Sequence, residues 1–542
     1  MPVLKIYFSR LGKMTGLSQE RILDRLPFLG LDIEGTDTDS VRIEYNPNRA
    51  DFSTDYGIAR ALRGLVGSEV GLPTYETVPG DIVVRADANL TKVRPWIACA
   101  VARGLKLDDE TVRQLISMQE DLHNGIGRKR KKAAIGLHDL DAITPPLYYG
   151  GMPESFQFVP LGSARKMTIS EVLRETETGA AYGAILRNAP VYPVLLDSRD
   201  VVLSFPPIIN GSETKVDTGT TDLFIDVTST DERIGGEALA IICSALADAG
   251  GQIETVRVMY QNGSRTTPDL TPTRMRFDGE LAARMTGLDL SASEMKECLG
   301  RTRLGLDRDG NALIPRYRVD IIHPVDLAEE VAIGYGLDRI EPLYPPSREP
   351  GALSRANTTL DRVSESAALA GFIETMNYDL VDSASLYGRF SRPDGSRIEV
   401  ENPRTQEHYL LRDAILPSLM ATLARNVKEV YPQRIFETGR VYTREGGRIV
   451  EVPHVAALVA YSSSSFSEAK SYLEALVWEH LGKGIETRVG AHWTFAEGRC
   501  AEVWVDGSSI GHLGEVKPSA VAAFGLDVPV AGFEIDLSKF PG

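Results

Sequence analysis

The chain has 542 residues, of which 43% are hydrophobic and 25% are charged. At roughly 100 to 200 residues per domain this length needs about three to five domains, and the composition is too apolar for an intrinsically disordered chain. Lys plus Arg number 59 against 75 Asp plus Glu, a net charge of −16, which excludes a uniformly basic nucleic-acid coat while leaving local basic patches open.

Taken in order, Met1 to Arg10 puts charges where a signal peptide would be apolar, and it reads as a strand. Turn and linker residues gather at Val78-Pro79-Gly80, at Thr266 through Pro272 and at Pro342 through Pro350. They predict four modules, 1–79, 80–266, 267–345 and 351–542. Strand-like runs such as Asp81 to Arg85 and Glu502 to Val505 alternate with helical ones such as Leu416 to Val427, which predicts a multidomain α+β chain with antiparallel sheets. The apolar run Ala238 to Ala247 is far short of the ~18 to 20 residues of a membrane span. A cytoplasmic protein with no membrane partner is expected. Cys99, Cys243, Cys298 and Cys500 form no CxxC pair, so neither a disulfide scaffold nor a zinc ribbon is expected.

Several common motifs fail on context. Gly507-Ser508-Ser509-Ile510-Gly511 has the spacing of a hydrolase nucleophile elbow, but Asp506-Gly507 lies between two strand-like runs and predicts a hairpin turn instead. There is no phosphate-binding G-x-x-x-x-G-K-[ST] loop, and the eight histidines contain no H-E-x-x-H.

Three constellations survive. Gln119 to Lys132 ends in five consecutive basic residues, Arg128 to Lys132, and is followed by Ala134 to Asp139. Such a run can grip phosphates or can simply be a solvated loop. The second is Leu203 to Asn210 with Asp222 to Thr228, in which alternation puts Asp226 and Thr228 on the face opposite Ile225 and Val227. That face is either a polar ligand site or the solvent side of an edge strand. The third is Arg318 to Val331. Pro324 suits a first helical turn, which puts Asp326, Glu329 and Glu330 on one face, while Asp320 ends a strand-like run. Four converging carboxylates suit a hard cation such as Mg²⁺, and equally suit a solvated helix start that complements the helix dipole.

Taken together in this order, the segments resemble the β subunits of phenylalanyl-tRNA synthetase of the archaeal and eukaryotic type. The resemblance also takes in Asn46 to Asp51, Gly57 to Leu62, Asn402-Pro403, Leu411-Arg412-Asp413, Leu416 to Leu419, Phe436 to Gly439 and Gly511 to Val516, and so spans nearly the whole chain. It implies pairing with an α subunit in an (αβ)₂ heterotetramer, with ATP and phenylalanine bound by the α subunit and tRNA(Phe) as the shared substrate. It implies an editing (B3/B4-like) domain at 80–266 that hydrolyses tyrosine wrongly joined to the tRNA, with Leu195, Ser204, Asp226 and Thr228 forming the pocket. It further implies a B5 domain at 267–345 that holds Mg²⁺ on Asp320, Asp326, Glu329 and Glu330. The segment 351–542 resembles a class II synthetase sheet domain without its chemistry. Where the second class II motif carries an ATP-binding arginine this chain has Thr443, and no arginine follows Gly532 to Leu537. Threonine cannot give the bidentate charged grip on phosphate that arginine gives. The alternative to an editing subunit is a tRNA-binding and assembly scaffold with no hydrolytic activity.

Overall fold

The computed structural model describes residues 2–345, 349–393 and 397–539, so residues 346–348 of the expected linker lie outside the described residues. The chain divides into two compact units, Met1–Leu343 and Tyr344–Gly542.

The first unit opens with β1 (Val3–Tyr7), β2 (Asp32–Thr36) and β3 (Ser40–Glu44), an antiparallel sheet in the order β1-β3-β2. Alternation along β1 buries Leu4 and Ile6 against Leu11, Ile22 and Ile58. The expected N-terminal strand stops at Tyr7, where Phe8 begins a helix.

A ten-stranded sheet follows. Its members are β4 (Thr77–Ala86), β5 (Trp96–Arg103), β6 (Ala133–Asp139) and β7 (Leu147–Met152), then, past a small ribbon of β8 (Gln157–Phe158) and β9 (Met167–Thr168), β10 (Tyr192–Leu196), β11 (Val202–Phe205), β12 (Ile209–Asn210), β13 (Leu223–Ser229), β14 (Gln252–Tyr260) and β15 (Gly263–Thr267). The order is β12-β11-β10-β7-β4-β14-β5-β13-β6, with β15 beside β14. The sheet is mixed, not purely antiparallel as expected, because β4 runs parallel to both β7 and β14. Long stretches of chain separate β4 from both partners, which leaves room for the crossovers that parallel pairs require. Every residue of β13 is buried between β5 and β6. Leu223, Ile225 and Val227 pack beneath the helix Glu232–Asp248, and Phe224 packs on the other face with Leu195 and Leu203. Asp226 and Thr228 therefore stand on an interior strand, and the edge-strand alternative is excluded.

Arg60 joins three sequence segments inside this unit. Its guanidinium ion-pairs with Asp248, donates to Tyr75 Oη at 3.0 Å, lies 3.5 Å from Asp51 Oδ2 and sits 3.7 Å over the ring of Tyr317. Asp51, which also accepts from Arg49 Nε at 2.9 Å, thus links the Asn46 to Asp51 motif to Arg60 of the Gly57 to Leu62 motif.

The unit ends in a three-stranded sheet of β16 (Thr273–Arg276), β17 (Gly305–Leu306) and β18 (Asn311–Ile314), covered by the helices Gly279–Thr286, Ala292–Arg301 and Pro324–Tyr335. Pro324 occupies the first helical turn, as its missing N–H allows. The strand-like run expected before Asp320 is not a strand: β18 ends at Ile314, ahead of Pro315, which has no N–H for a ladder.

The second unit is built on β19 (Ile373–Glu374), a short ribbon of β20 (Leu380–Val381) with β21 (Leu410–Leu411), and β22 (Gln433–Glu445), β23 (Arg448–Ala460), β24 (Glu486–Val489), β25 (Phe495–Val505), β26 (Ser508–Val516) and β27 (Val530–Asp536). The main sheet runs β19-β22-β23-β27-β26-β25-β24, antiparallel except for β19 with β22. One face carries Val363, Leu473 and Val477 from the helices Arg355–Leu369 and Phe466–Leu481. The other carries Leu416, Leu419, Met420 and Ala520 from Leu416–Arg425 and Pro518–Ala523. Asp506 and Gly507 have φ of 51° and 78° and join β25 to β26 in a tight hairpin, so the G-x-S-x-G match is a turn and not a nucleophile elbow.

Candidate functional site

The first two surviving constellations meet at one cavity of about 350 Å³ in the first unit. Glu120, His123 and Arg130 line it from one side, Gly136 and Asp226 from the sheet, and Ser204 with Pro206 to Asn210 from the other side. Glu120 and His123 come from the last turns of the helix Asp109–Asn124, which runs directly into the basic loop.

Asp226 is 1% exposed. Its Oδ1 accepts from Ser204 Oγ at 3.3 Å and lies 2.9 Å from His138 Nε2. His138 Nδ1 lies 2.9 Å from Thr214 Oγ1, so a buried chain runs from Thr214 through His138 and Asp226 to Ser204. Among the described residues no donor reaches Asp226 Oδ2. The carboxylate is thus anchored through one oxygen and keeps the other for whatever enters the cavity. The approach needs glycine at 136, directly across from Asp226 in the ladder: a Cβ there would overlap Asp226 Oδ1 and stand 2.5 Å from His138 Nε2.

The opposite wall is held by Arg130. It donates to the carbonyls of Pro207 and Ile208 at 3.3 and 2.9 Å and to Glu120 Oε1 at 2.7 Å, and it stacks on Tyr182 at 4.3 Å. The backbone N–H of Ile135 donates to His123 Nε2 at 2.8 Å, which leaves Nδ1 to donate to Glu120 at 3.3 Å. Burial pushes His123 below the usual imidazole range, so the ring is neutral, in keeping with an accepting Nε2. The bond from His123 and the charge of Arg130 hold Glu120 below its usual range.

Two of the four expected pocket residues do not reach the cavity. Leu195 pairs with Ser204 in the β10–β11 ladder but is fully buried in the apolar cluster of Leu203 and Phe224. Thr228 Oγ1 accepts from Arg94 Nε at 2.9 Å, and its carbonyl accepts from Arg94 Nη2 at 2.8 Å. Burial pulls the Arg94 guanidinium down to about 10. The sequence pattern does not single out His138, Thr214, Glu120 or Arg130 individually. Only the proximity of His123 and His138 to the basic run in sequence pointed their way.

The four carboxylates of the third constellation lie apart from this cavity. Arg318, itself buried, donates Nε and Nη2 to Asp320 at 2.9 and 2.7 Å and Nη1 and Nη2 to Glu330 at 3.1 and 2.5 Å. Asp326 Oδ2 accepts from the backbone N–H groups of Ile322 and His323 at 2.8 and 2.7 Å and closes a capping box. Burial and the neighbouring Glu330, Asp326 and Asp320 raise Glu329 above its usual range. The donor chemistry suits Mg²⁺. In the structure two of the carboxylates pair with Arg318, a third caps a helix, and no three acidic or metal-binding side chains converge among the described residues.

In the second unit Thr443 stands on β22 with no arginine in its place. Arg412, also buried, ties Glu437 at 2.6 Å to Asp379 at 3.0 Å, and Glu534 caps the helix Leu416–Arg425 by accepting from the N–H groups of Ile415 and Leu416 at 3.0 Å. Both sheet faces are therefore filled by apolar clusters and internal ion pairs.

Residues 275–337 match the family description "tRNA synthetase B5 domain" and residues 340–537 match "Phenylalanyl tRNA synthetase beta chain CLM domain". A phenylalanine–tRNA ligase beta subunit of Archaeoglobus fulgidus is 41% identical over 546 residues, covering 100% of this chain and 99% of its own. One from Pyrococcus furiosus is 38% identical over 498 residues, covering 90% and 89%. The crystal structure of an N-terminal fragment of the phenylalanyl-tRNA synthetase beta subunit from Pyrococcus horikoshii superposes with a TM-score of 0.60 at 34% identity, covering 62% of this chain and all of the fragment. On this full-length similarity the chain belongs to the phenylalanine–tRNA ligase beta-subunit family.

Proposed function

We propose that this chain is the β subunit of a cytoplasmic phenylalanine–tRNA ligase, paired with an α subunit in an (αβ)₂ heterotetramer, and that its cavity hydrolyses tyrosine mistakenly joined to tRNA(Phe). In this reading 1–79 is an N-terminal module, 80–266 the editing module, 267–345 the B5 module and 351–542 a synthetase-like module that packs against the α subunit. ATP and phenylalanine bind the α subunit, because Thr443 cannot replace an arginine on phosphate.

The observation that carries the editing reading is Asp226, buried in the cavity wall with one oxygen anchored by His138 and the other uncommitted. An apolar synthetic pocket rejects an analogue that adds one hydroxyl by only ~10²-fold, so a second site that requires the hydroxyl restores accuracy. Asp226 Oδ2 accepts the tyrosine O–H. Phenylalanine offers no such donor and leaves Oδ2 desolvated and without a partner. Ser204 holds the substrate beside it, while Leu195 and Thr228 with Arg94 support the strands from behind. In the reaction, water adds to the ester carbonyl, the bond to the terminal ribose oxygen breaks, and the proton of water passes to that oxygen. Free tyrosine and tRNA result.

In this reading Asp320, Asp326, Glu329 and Glu330 would hold Mg²⁺, with the carboxylates now paired to Arg318 freed for it. The editing test is deacylation of Tyr-tRNA by the assembled ligase. Asp226→Asn should abolish it and leave Phe-tRNA synthesis intact; wild-type deacylation by that variant would remove Asp226 from the site, and no deacylation by the wild-type ligase would leave the scaffold reading.

A further inference from the structure

Arg128, Lys129, Lys131 and Lys132 are exposed, and none forms an ion pair among the described residues. In a chain with net charge −16, four uncompensated cations within five residues make a strongly positive patch where the average surface is negative. Glu120, on the helix that runs into the loop, is already taken by Arg130 and His123.

The patch is held in a fixed shape. Arg128, Lys129 and Arg130 have φ of 50°, 53° and 63°, a left-handed run that non-glycine residues adopt at a cost of order 1 kcal/mol each. Backbone bonds from Arg130 N to His123 O at 3.0 Å and from Lys132 N to Gly127 O at 2.8 Å keep it so. Arg130 alone turns inward, where it forms part of the wall of the cavity that holds Ser204 and Asp226. Its immediate sequence neighbours Lys129 and Lys131 are exposed and outside the lining, so the patch begins one residue from the cavity wall.

We infer that these four side chains form a track for the sugar–phosphate backbone of the single-stranded 3′ end of a tRNA, which delivers its ester-linked amino acid to the cavity. The inference rests on the editing reading. An aminoacyl ester attached to a terminal nucleotide brings the preceding phosphates with it, and cations at the rim meet them while the amino acid alone enters. Contact of this kind is electrostatic and indifferent to sequence, as expected for Lys and Arg side chains on a loop with no base-reading partners.

The test uses the assembled ligase carrying Arg128→Gln, Lys129→Gln, Lys131→Gln and Lys132→Gln together. All four residues are exposed, so the fold is spared. Deacylation of Tyr-tRNA should show KM raised about tenfold or more with kcat nearly unchanged. Hydrolysis of tyrosine methyl ester, which has no phosphates, should be unaffected. The slope of log KM against log salt should fall by about 0.7 for each phosphate contact removed. A short single-stranded RNA oligonucleotide should bind the wild type more tightly than the variant. Unchanged KM, salt slope and RNA affinity, in a preparation where Asp226→Asn abolishes deacylation, would overturn the track and leave the editing reading standing. No deacylation of Tyr-tRNA by the wild-type ligase would sink the editing reading instead, and equal binding of the RNA oligonucleotide by wild type and variant would then overturn the track. Preferential binding of anionic phospholipid vesicles over RNA would also overturn it.

Discussion

Gly136→Ala is the sharpest probe of the buried chain beneath the cavity. The new Cβ would sit 2.5 Å from His138 Nε2 and closer still to Asp226 Oδ1, against an ordinary contact of 3.4 Å or more. Relief needs a displacement of about 1 Å, which stretches the 2.9 Å contact between His138 and Asp226 beyond hydrogen-bond range. Losing a bond to a charged group costs about 1.5 to 3 kcal/mol and overpacking costs about 1 to 3 kcal/mol, so a loss near 3 kcal/mol is expected. At about 2 to 4 °C per kcal/mol, the transition of the first unit should fall by roughly 6 to 12 °C in a thermal melt. A 1 Å displacement at a reacting site costs on the order of 10²-fold in rate, so Tyr-tRNA deacylation should drop by about that factor while Phe-tRNA synthesis persists. Wild-type deacylation by a variant with the lowered melting temperature would refute the claim that His138 sets the position of Asp226.

Other expectations follow from the same structure. His138→Gln, whose side-chain amide can still donate to Asp226, should retain more Tyr-tRNA deacylation than His138→Leu, with the difference in KM for Tyr-tRNA; equal loss in both would make His138 merely structural. Arg318→Met strands Asp320 and Glu330 without a counter-charge and should cost about 3 to 5 kcal/mol, and added Mg²⁺ should recover part of that loss in a melting experiment if the four carboxylates bind the ion. No recovery, together with no Mg²⁺ in the wild-type ligase by elemental analysis, would reject the metal site. The chain without its α subunit should give no phenylalanine-dependent pyrophosphate exchange. Burial pulls His492 down from 6.5 to about 4, so its neutral ring stabilises the second unit fully above pH 6.5, and that stability is lost as pH falls from 6.5 towards 4. The loss amounts to about 3 kcal/mol, and His492→Gln should flatten the acid limb of the stability curve of that unit.

Local signals in the sequence carried local structure well. Pro324 marked a helix start, Asp506-Gly507 a hairpin, and the alternation in Asp222 to Thr228 placed Asp226 and Thr228 on one face. What was not legible depended on pairings between distant residues. Asp226 and His138 are 88 positions apart, and their meeting depends on β13 and β6 pairing in one register, which periodicity does not specify. The basic run looked uniform because charge alone cannot say which of five side chains turns inward; the left-handed backbone at Arg128 to Arg130 decides that. In the run Arg318 to Val331 the pattern does not say that the Arg318 guanidinium pairs with Asp320 and Glu330, because its bond to Glu330 spans twelve positions. The resemblance implies Leu195, and alternation as well as resemblance points to Thr228, yet neither signal measures depth: Leu195 is buried in an apolar cluster and Thr228 is bonded to Arg94.

The Arg60 junction bears on how this polypeptide can be divided. Its partners Asp51, Asp248 and Tyr317 come from stretches that look like separable cassettes, yet each gives the same guanidinium one contact. Cutting the chain at the boundary near residue 80 or near residue 266 would leave a buried charge with part of its cage missing. Grafts between relatives that exchange one cassette alone should therefore lose solubility or yield, while those that carry residues 1–343 as a block should not. Inherited change at any of these positions is constrained by the other two, so the three stretches are tied to a common history even where the loops between them drift freely.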